Sequence, residues 1–194
     1  MMVLGLTGGI GMGKSTVAAM FAARDIPAFN ADDAVHALQA PGGTAIPALA
    51  EAFPGTVTDG VLDRAKLRAE VLASDAAMKR LEAIMHPLVR QMQAVFMEEA
   101  ARAGRRAVLM DIPLLFETGG EGRVDEVITV SCPREVQIAR VLARGVPQAQ
   151  VEAIIARQMP DAEKRRRARY IVETGGTLEE TQAQVARIIK ELGL

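Results

Sequence analysis

One short segment near the start of the chain limits its fold more than any other feature. It has the pattern G-x-x-x-x-G-K-S/T, and its residues are Gly8, Gly9, Ile10, Gly11, Met12, Gly13, Lys14 and Ser15. The apolar run 3–6 precedes it, and residues 14–23 carry apolar side chains at helical spacing. A strand, a glycine-rich turn and a helix in this order form a phosphate-binding loop, or P-loop. The segment therefore predicts an α/β fold that binds a nucleotide through its phosphates.

The residue types of this loop predict what each part does. Glycine lets the backbone curl so that successive N–H groups point at phosphate oxygens. Lys14 supplies a point charge for the β- and γ-phosphates, and the Ser15 hydroxyl is a candidate Mg²⁺ ligand. The predicted ATP-binding residues of the segment are Gly9, Gly11, Met12, Gly13, Lys14, Ser15 and Thr16.

The rest of the chain alternates between strand and helix patterns, apart from one long helical stretch. Further strand candidates are residues 26–29, 107–110, 127–130 and 170–172. The continuous apolar runs among them are typical of parallel strands buried on both faces. Residues 44–103 have helical spacing without a strand, and Pro87 is expected to break or kink the longest helix after His86. Strands separated by helices predict a parallel sheet flanked by helices.

Strand candidates stand on both sides of the helical stretch, which is therefore expected to be an insertion in an α/β core. Near the end of the chain, Thr177 and Glu180 fit a capping box that opens a last helix. The expected parts are a nucleotide-binding core of residues 1–34, 104–133 and 168–194, a helical acceptor-binding domain of residues 35–103, and a helical lid of residues 134–167.

A P-loop alone does not separate a kinase from a molecular switch or a motor. GTPases read guanine with an Asn-Lys-x-Asp segment, but the only asparagine here is Asn30, and Ala31 follows it. An Asp-x-x-Gly switch segment is also absent from the sequence. A mechanical ATPase would need more chain than 194 residues. A short P-loop chain with a helical insertion and an Arg-rich helical segment is more typical of a small-molecule kinase.

The composition and the N-terminal segment predict a cytoplasmic protein. A net charge of −1 gives the chain no general attraction to nucleic acid or to an anionic membrane. The N-terminus lacks the basic region of a signal peptide, and no apolar run approaches the roughly 18 residues of a membrane span. One cysteine and two histidines exclude an intramolecular disulfide and argue against structural zinc. Cys132 is expected to pack in the core.

Three aspartates are candidates for chemistry at the ends of strands. Asp32 and Asp33 follow the second strand candidate, where a carboxylate can accept the proton of an acceptor hydroxyl or bind Mg²⁺ through water. Aspartate is also a preferred helix N-cap, and the residues alone leave both roles open. Asp111 ends an apolar strand, where P-loop enzymes place a carboxylate near the metal or its water. The alternative is a strand-end carboxylate that bonds a loop N–H, and the P-loop favours the functional role.

The basic residues and the histidines give weaker signals. Arg140 and Arg144 share a helix face, and a lid that brought them to ATP would stabilise the charge of the transferred phosphoryl group. The alternative is a solvated basic face, which is the expectation for residues 164–167. His86 is more often structural than catalytic when it stands alone, and Arg90 one turn later could bind an acceptor phosphate.

An ordered set of segments resembles the dephospho-CoA kinase family over nearly the whole chain. The segments are residues 5–15, residues 30–32, the His-Pro segment 84–90, the Pro-Leu-Leu-x-Glu segment 111–117, and residues 137–140 with 144, 157 and 158. The P-loop is generic, but the ordered set is specific. The resemblance implies the P-loop NTPase fold and ATP-dependent phosphorylation of the ribose 3′-hydroxyl of dephospho-CoA, with ATP and Mg²⁺ bound.

The resemblance also implies roles for particular residues. Asp32 matches the second aspartate of a family pair and would be the general base. Arg140 would contact the ATP phosphates from the lid. The helical insertion would hold the acceptor, with His86, Arg90 and, from the Pro-Leu-Leu-x-Glu segment, Leu115 beside it. We expect a monomer or a weak homo-oligomer.

At three positions the chain departs from the family pattern. Asn30 replaces the first aspartate of the pair and leaves one negative charge fewer there. Arg169 stands where aspartate is frequent, and Thr174 stands where asparagine is frequent, near the expected adenine site. Two rival functions remain at this point. One is a kinase for another small metabolite, such as shikimate or a nucleoside monophosphate, and the other is an ATP-binding regulatory module without transfer chemistry.

Overall fold

The computed structural model describes all 194 residues. Its strands are β1 (Met2–Thr7), β2 (Ala28–Asn30), β3 (Val57–Thr58), β4 (Val61–Leu62), β5 (Ala107–Asp111), β6 (Glu126–Ser131) and β7 (Tyr170–Glu173). Its helices are α1 (Lys14–Ala22), α2 (Ala31–Leu38), α3 (Ile46–Ala52), α4 (Arg64–Leu72), α5 (Asp75–Arg102), α6 (Arg134–Ala143), α7 (Gln148–Ala156), α8 (Asp161–Arg167) and α9 (Leu178–Glu191). A short 3₁₀ helix spans Gly120–Arg123. None of the helices combines the length and the apolar character that crossing a bilayer requires.

The main sheet has five strands in the order β2-β5-β1-β6-β7. β1 pairs in parallel with β5 on one side and with β6 on the other, and β6 pairs in parallel with β7. All five residues of β5 are buried, and so are the last five of β6. Continuous apolar runs predicted such strands, because helices cover both faces of a parallel sheet. The expected α/β fold with a parallel sheet flanked by helices is confirmed.

Two helices complete the core beneath this sheet. The apolar side chains of α1, including Val17 and Phe21, and of α9, including Val185 and Ile188, join those of the strands in one cluster. The predicted capping box is present, because Thr177 Oγ1 accepts the N–H of Glu180 at 3.1 Å and the Glu180 carboxylate accepts the N–H of Thr177 at 2.8 Å. The buried Cys132 belongs to the same cluster, as expected from the sequence.

By the compactness of its contacts the chain divides into two units, residues 1–29 with 100–194 and residues 30–99. The first unit contains the P-loop, helices α1 and α6 to α9, and the main sheet except Asn30, the last residue of β2. The second unit has a core of its own, in which Leu38, Leu49, Phe53, Leu67 and Met85 are buried together.

The expectation that residues 44–103 contain no strand is wrong. β3 and β4 form a two-stranded antiparallel hairpin in which Val57 lies opposite Leu62. Its two turn residues, Asp59 and Gly60, both have positive φ, 51° and 76°. An Asp-Gly pair between short apolar runs is the usual sequence signal for such a hairpin, so the signal was present.

Of the break or kink expected at Pro87, the break does not occur. α5 runs without interruption over 28 residues, with Pro87 inside it. Proline removes one helical hydrogen bond, but the apolar face of α5, including Leu81, Met85 and Met92, packs in the second core. The tertiary packing of this face therefore outweighs the local cost.

Candidate active site

The P-loop connects β1 to α1 through a tight turn. The N–H of Met12 bonds the carbonyl of Gly9 at 3.2 Å, and Gly11 and Gly13 have φ of 77° and 90°. A Cβ at Gly11 would lie 2.7 Å from a methyl group of Val141, so the turn needs glycine for both conformation and space. The loop therefore presents its backbone at the N-terminus of α1, as an anion site requires.

Two glutamines to which the sequence analysis assigned no role of their own hold the tip of this loop. Gln137 of α6 donates its Nε2 to the carbonyl of Ile10 at 2.8 Å, and Gln158 accepts the N–H of Ile10 on its Oε1 at 3.0 Å. A Cβ at Gly9 would lie 3.1 and 3.2 Å from these two amide groups. Both glutamines come from the segment predicted as a lid, which thus contacts the P-loop directly.

The P-loop lysine is paired with the aspartate that ends β5. Lys14 Nζ donates to Asp111 Oδ1, and the Asp111 side chain is only 3% exposed. β1 and β5 are neighbours in the sheet with Leu6 opposite Asp111, so the two residues meet at the carboxyl ends of these strands. An ammonium group has three hydrogens, so Lys14 can keep Asp111 and still donate to a phosphate.

Arg140 lies beside the loop, whereas Arg144 does not. The Arg140 guanidinium donates to the side chain and to the carbonyl of Thr174, at 3.0 and 2.6 Å. A Cβ built on Gly13 would lie 3.4 Å from Arg140 Nη1. Arg144 caps the C-terminus of α6 and is exposed. Of the two arginines, the structure brings only Arg140 to the P-loop.

The helix that carries the predicted base is capped by Asn30. Its Oδ1 accepts the N–H groups of Asp32 at 2.8 Å and of Asp33 at 3.2 Å. Neither aspartate is the N-cap, so the capping role considered for them is wrong. Both carboxylates are exposed in the first turn of α2, where the helix dipole stabilises negative charge. Asn30 therefore caps this helix through its amide oxygen and adds no negative charge.

The residues predicted for the acceptor differ in accessibility. His86 and Arg90 are exposed and stand four residues apart on the uninterrupted α5, so they share one helix face. Leu115 is completely buried with Phe116 and Val127, and its side chain is closed to a ligand here. Its neighbour Leu114 is 42% exposed and is the accessible apolar side chain of this segment.

Lys164 is not part of a solvated basic face, contrary to the prediction for residues 164–167. Its side chain is 1% exposed and donates to Glu117 Oε1 at 2.8 Å and to the carbonyl of Pro113 at 3.2 Å. The Glu117 carboxylate also accepts the N–H of Met159 at 2.9 Å. Arg167 likewise lies over the ring of Phe116 at 4.5 Å. These contacts tie α8 to the segment that follows β5.

These bonds set the charge state of Glu117. Partial burial by itself would raise the pKa of this carboxyl group, but the bonds from Lys164 and from the Met159 N–H outweigh it. The pKa of Glu117 therefore lies below its ordinary value of 4.5. Because the folded pKa is the lower one, ionised Glu117 stabilises the fold above pH 4.5, and the contribution is lost as the pH falls through the folded pKa.

Replacing Glu117 by glutamine should reveal this contribution. At pH 7 we expect Glu117→Gln to lower the free energy of unfolding by roughly 1.5–3 kcal/mol. The reason is that a neutral amide replaces the charged acceptor of the buried Lys164 ammonium. Below pH 4.5 the difference between wild type and variant should shrink. Urea unfolding from pH 7 to pH 3 measures both, and equal m-values serve as the control for the denatured state. A difference that stays constant down to pH 3 would contradict the assigned bonds.

A cavity of about 150 Å³ adjoins the P-loop within the first unit. Gly9, Gln137, Gln158, Asp161 and Lys164 are among the residues that line it. A larger cavity, about 290 Å³, is lined by Arg24, Asp25, Arg105 and neighbouring residues and contains none of the predicted site residues. Of these two cavities, only the smaller one is lined by residues of the P-loop.

Three features define the class of protein. They are a phosphate-binding loop between a parallel strand and a helix, a lysine paired with a strand-end aspartate, and an arginine beside the loop. The fold and the site are those of a P-loop kinase.

Comparison with known proteins identifies the family. A sequence model described as dephospho-CoA kinase matches residues 2–180. The dephospho-CoA kinase of Mesorhizobium japonicum is 55% identical over 193 residues, which cover 99% of this chain and 97% of that protein. That of Bradyrhizobium diazoefficiens is 51% identical over 193 residues, covering 99% and 96%. The chain belongs to the dephospho-CoA kinase family and is a kinase.

Solved structures agree with this fold. The Thermus thermophilus protein TT1252 is 38% identical, with a TM-score of 0.82, and the match covers 98% of this chain and 97% of that one. The dephospho-CoA kinase of Campylobacter jejuni has a TM-score of 0.69 at 22% identity, covering 98% and 96%. A shikimate kinase from Bacteroides thetaiotaomicron has a TM-score of 0.54 at 17% identity, covering 100% and 99%. The last two comparisons concern the fold alone.

Proposed function

We propose that the chain transfers the γ-phosphoryl group of ATP to the ribose 3′-hydroxyl of dephospho-CoA, giving coenzyme A and ADP. The observation that carries the proposal is sequence identity of about half, over the full length, to dephospho-CoA kinases. In the same chain the P-loop lysine is paired with Asp111, and Arg140 lies beside Gly13 of the loop. As part of the same proposal, the enzyme acts in the cytoplasm on small molecules, without nucleic acid or membrane, as a monomer or weak homo-oligomer.

The nucleotide side of the reaction is assigned to the P-loop. Its backbone N–H groups and the N-terminus of α1 hold the phosphates, and Lys14 donates to the β- and γ-phosphate oxygens. Arg140 stabilises the charge that develops on the transferred group, because a guanidinium donates in a planar fork. Arg144 is assigned to ATP only in a closed form of the predicted lid.

The acceptor side is assigned to the second unit. The Asp32 carboxylate accepts the proton of the 3′-hydroxyl as the ribose oxygen bonds to the γ-phosphorus, and the bond to the β,γ-bridging oxygen breaks to release ADP. Its exposure in the first turn of α2 leaves the carboxylate accessible to an acceptor. His86 and Arg90, on one exposed face of α5, are proposed contacts to the acceptor.

A magnesium ion fits the oxygen donors that this site offers. The Ser15 hydroxyl is exposed at the start of α1, and the Asp111 carboxylate lies beside Lys14. The chain has no cluster of three acidic, histidine or cysteine side chains, which suits Mg²⁺, since this ion binds few protein groups and keeps water and phosphate oxygens. When bound there, Mg²⁺ neutralises charge on the β- and γ-phosphates. Ser15 would ligate it directly, and Asp111 directly or through water.

The proposal is tested by the acceptor dependence of ADP release. With Mg²⁺-ATP and dephospho-CoA we expect steady turnover and a product heavier by one phosphoryl group, measured by mass spectrometry. Shikimate, AMP and CMP are parallel acceptors that should give only background. Turnover with one of these instead would identify a different metabolite kinase. ATP binding without turnover on any acceptor would indicate a regulatory module.

A further inference from the structure

Thr174, directly after β7, makes an unusual set of contacts with the P-loop. Its side chain is buried, with 6% exposure, and its N–H bonds the carbonyl of Ser131 at 2.8 Å. Its hydroxyl oxygen lies 2.6 Å from the carbonyl oxygen of Met12 and 3.0 Å from Nη1 of Arg140. One side chain thus touches both the loop and the arginine assigned to the phosphates.

The hydrogen-bonding capacity of this hydroxyl fits these partners. A threonine hydroxyl has one hydrogen to donate and lone pairs to accept. Arginine only donates and a carbonyl only accepts, so the hydroxyl donates to Met12 and accepts from Arg140. The carbonyl of Ser131, at 3.4 Å, is a poorer acceptor for the same hydrogen. Arg140 Nη2 meanwhile donates to the Thr174 carbonyl at 2.6 Å.

The guanidinium is thereby held in a fixed orientation against the loop. Two of its nitrogens are bound to the two oxygens of one residue, and that residue is anchored to β6 through its backbone. A Cβ on Gly13 would lie 3.2 Å from Thr174 Oγ1 and 3.4 Å from Arg140 Nη1. The arginine therefore stands beside the residue that precedes Lys14, without space for a side chain between them.

We propose that Thr174 is a positioning residue, which orients Arg140 toward the ATP phosphates and fixes the Met12 peptide of the P-loop through one hydroxyl group. The role of Arg140 rests on the proposed function. An asparagine cannot place a donor and an acceptor on a single atom, so the threonine is suited to a site where the carbonyl and the guanidinium converge on one point.

The test compares the loss of the hydroxyl with its retention. Thr174→Val keeps the shape without the hydroxyl, and Thr174→Ser keeps the hydroxyl. We expect Thr174→Val to lower kcat/KM for ATP by about tenfold, the factor for one net hydrogen bond of upper-range strength. Thr174→Ser should stay within about twofold of wild type. Thr56→Val is the matched control, because Thr56 is also buried and its hydroxyl bonds the Phe53 carbonyl at 2.7 Å.

Coupling to Arg140 separates positioning from a merely structural role. In an Arg140→Ala background, Thr174→Val should cause a much smaller further loss than in wild type, since the guanidinium to be oriented is gone. Equal losses in both backgrounds would overturn the positioning of Arg140 by Thr174. So would a lower melting temperature with unchanged kcat and KM, or a loss equal to that of Thr56→Val. If the valine variant cannot be purified, Thr174→Cys replaces it in the same comparison, because a thiol is only a weak hydrogen-bonding group.

Calorimetric titration of the same variants with ATP measures ATP affinity in the absence of an acceptor. This test of Thr174 therefore does not depend on which acceptor the enzyme uses. For Thr174→Val we expect either ATP affinity or kcat with dephospho-CoA to fall by about tenfold. If wild type binds ATP but leaves dephospho-CoA unchanged, the proposed function fails, and ATP affinity alone then decides the role of Thr174. Unchanged affinity in that case overturns it.

Discussion

Replacing Lys14 by methionine should lower kcat by about 10²–10³-fold, the usual cost of losing one donor aimed at transition-state charge. Methionine keeps an unbranched apolar side chain, so the variant removes the ammonium with little change in packing. The reason for the loss is that Lys14 is the point charge of the P-loop for the β- and γ-phosphates. Steady-state ADP release with saturating Mg²⁺-ATP measures the effect.

The pairing of Lys14 with Asp111 requires a control for stability. Removing the ammonium leaves a carboxylate that is 3% exposed without this cation, and breaking a buried pair costs about 3–5 kcal/mol. The double variant Lys14→Met/Asp111→Asn removes the charge of both partners and should recover much of the stability, but not the turnover. Recovery of turnover in the double variant would show that the lysine acts on Asp111 and not on phosphate.

Asp32→Asn should lower kcat by about 10²–10⁴-fold and leave ATP affinity largely unchanged. This is the usual contribution of a positioned general base, and the amide cannot accept the proton of the 3′-hydroxyl. The substitution keeps the size of the side chain, and the cap from Asn30 to the N–H of residue 32 is a backbone contact that it does not touch. Single-turnover kinetics and calorimetric titration of ATP measure the two quantities separately.

The neighbouring Asp33 is the matched control for this variant. It is exposed in the same first turn of α2, and its N–H is bound to the same Asn30 oxygen. Asp33→Asn therefore removes one negative charge from the same helix terminus, and we expect kcat to stay within about tenfold of wild type. Equal losses in the two variants would mean that the charge of the helix terminus matters, and that Asp32 is not the base.

Local sequence determined the parts of this protein whose interactions are themselves local. The motif predicted a glycine-rich loop without any other part of the chain, and Gly11 and Gly13 of this loop have positive φ. The capping box at Thr177 involves residues three apart. Continuous apolar runs predicted β1, β5 and β6, because a strand that is buried on both faces carries apolar residues on both of them. Family resemblance then added a function that periodicity alone could not give.

Tertiary structure decided the features that depend on distant partners. α5 continues through Pro87 because its apolar face packs in a core formed with other helices. The sequence of α5 alone does not predict these partners. Lys164 is buried because Glu117, 47 positions earlier, and Pro113 supply acceptors, whereas four consecutive basic residues indicate a solvated face. Gln137 and Gln158 hold Ile10 from more than a hundred residues away. Thr174 reaches Met12 over a separation of 162 residues. Hydrogen bonds between remote segments leave no periodic pattern, so only the folded chain brings their donors and acceptors together.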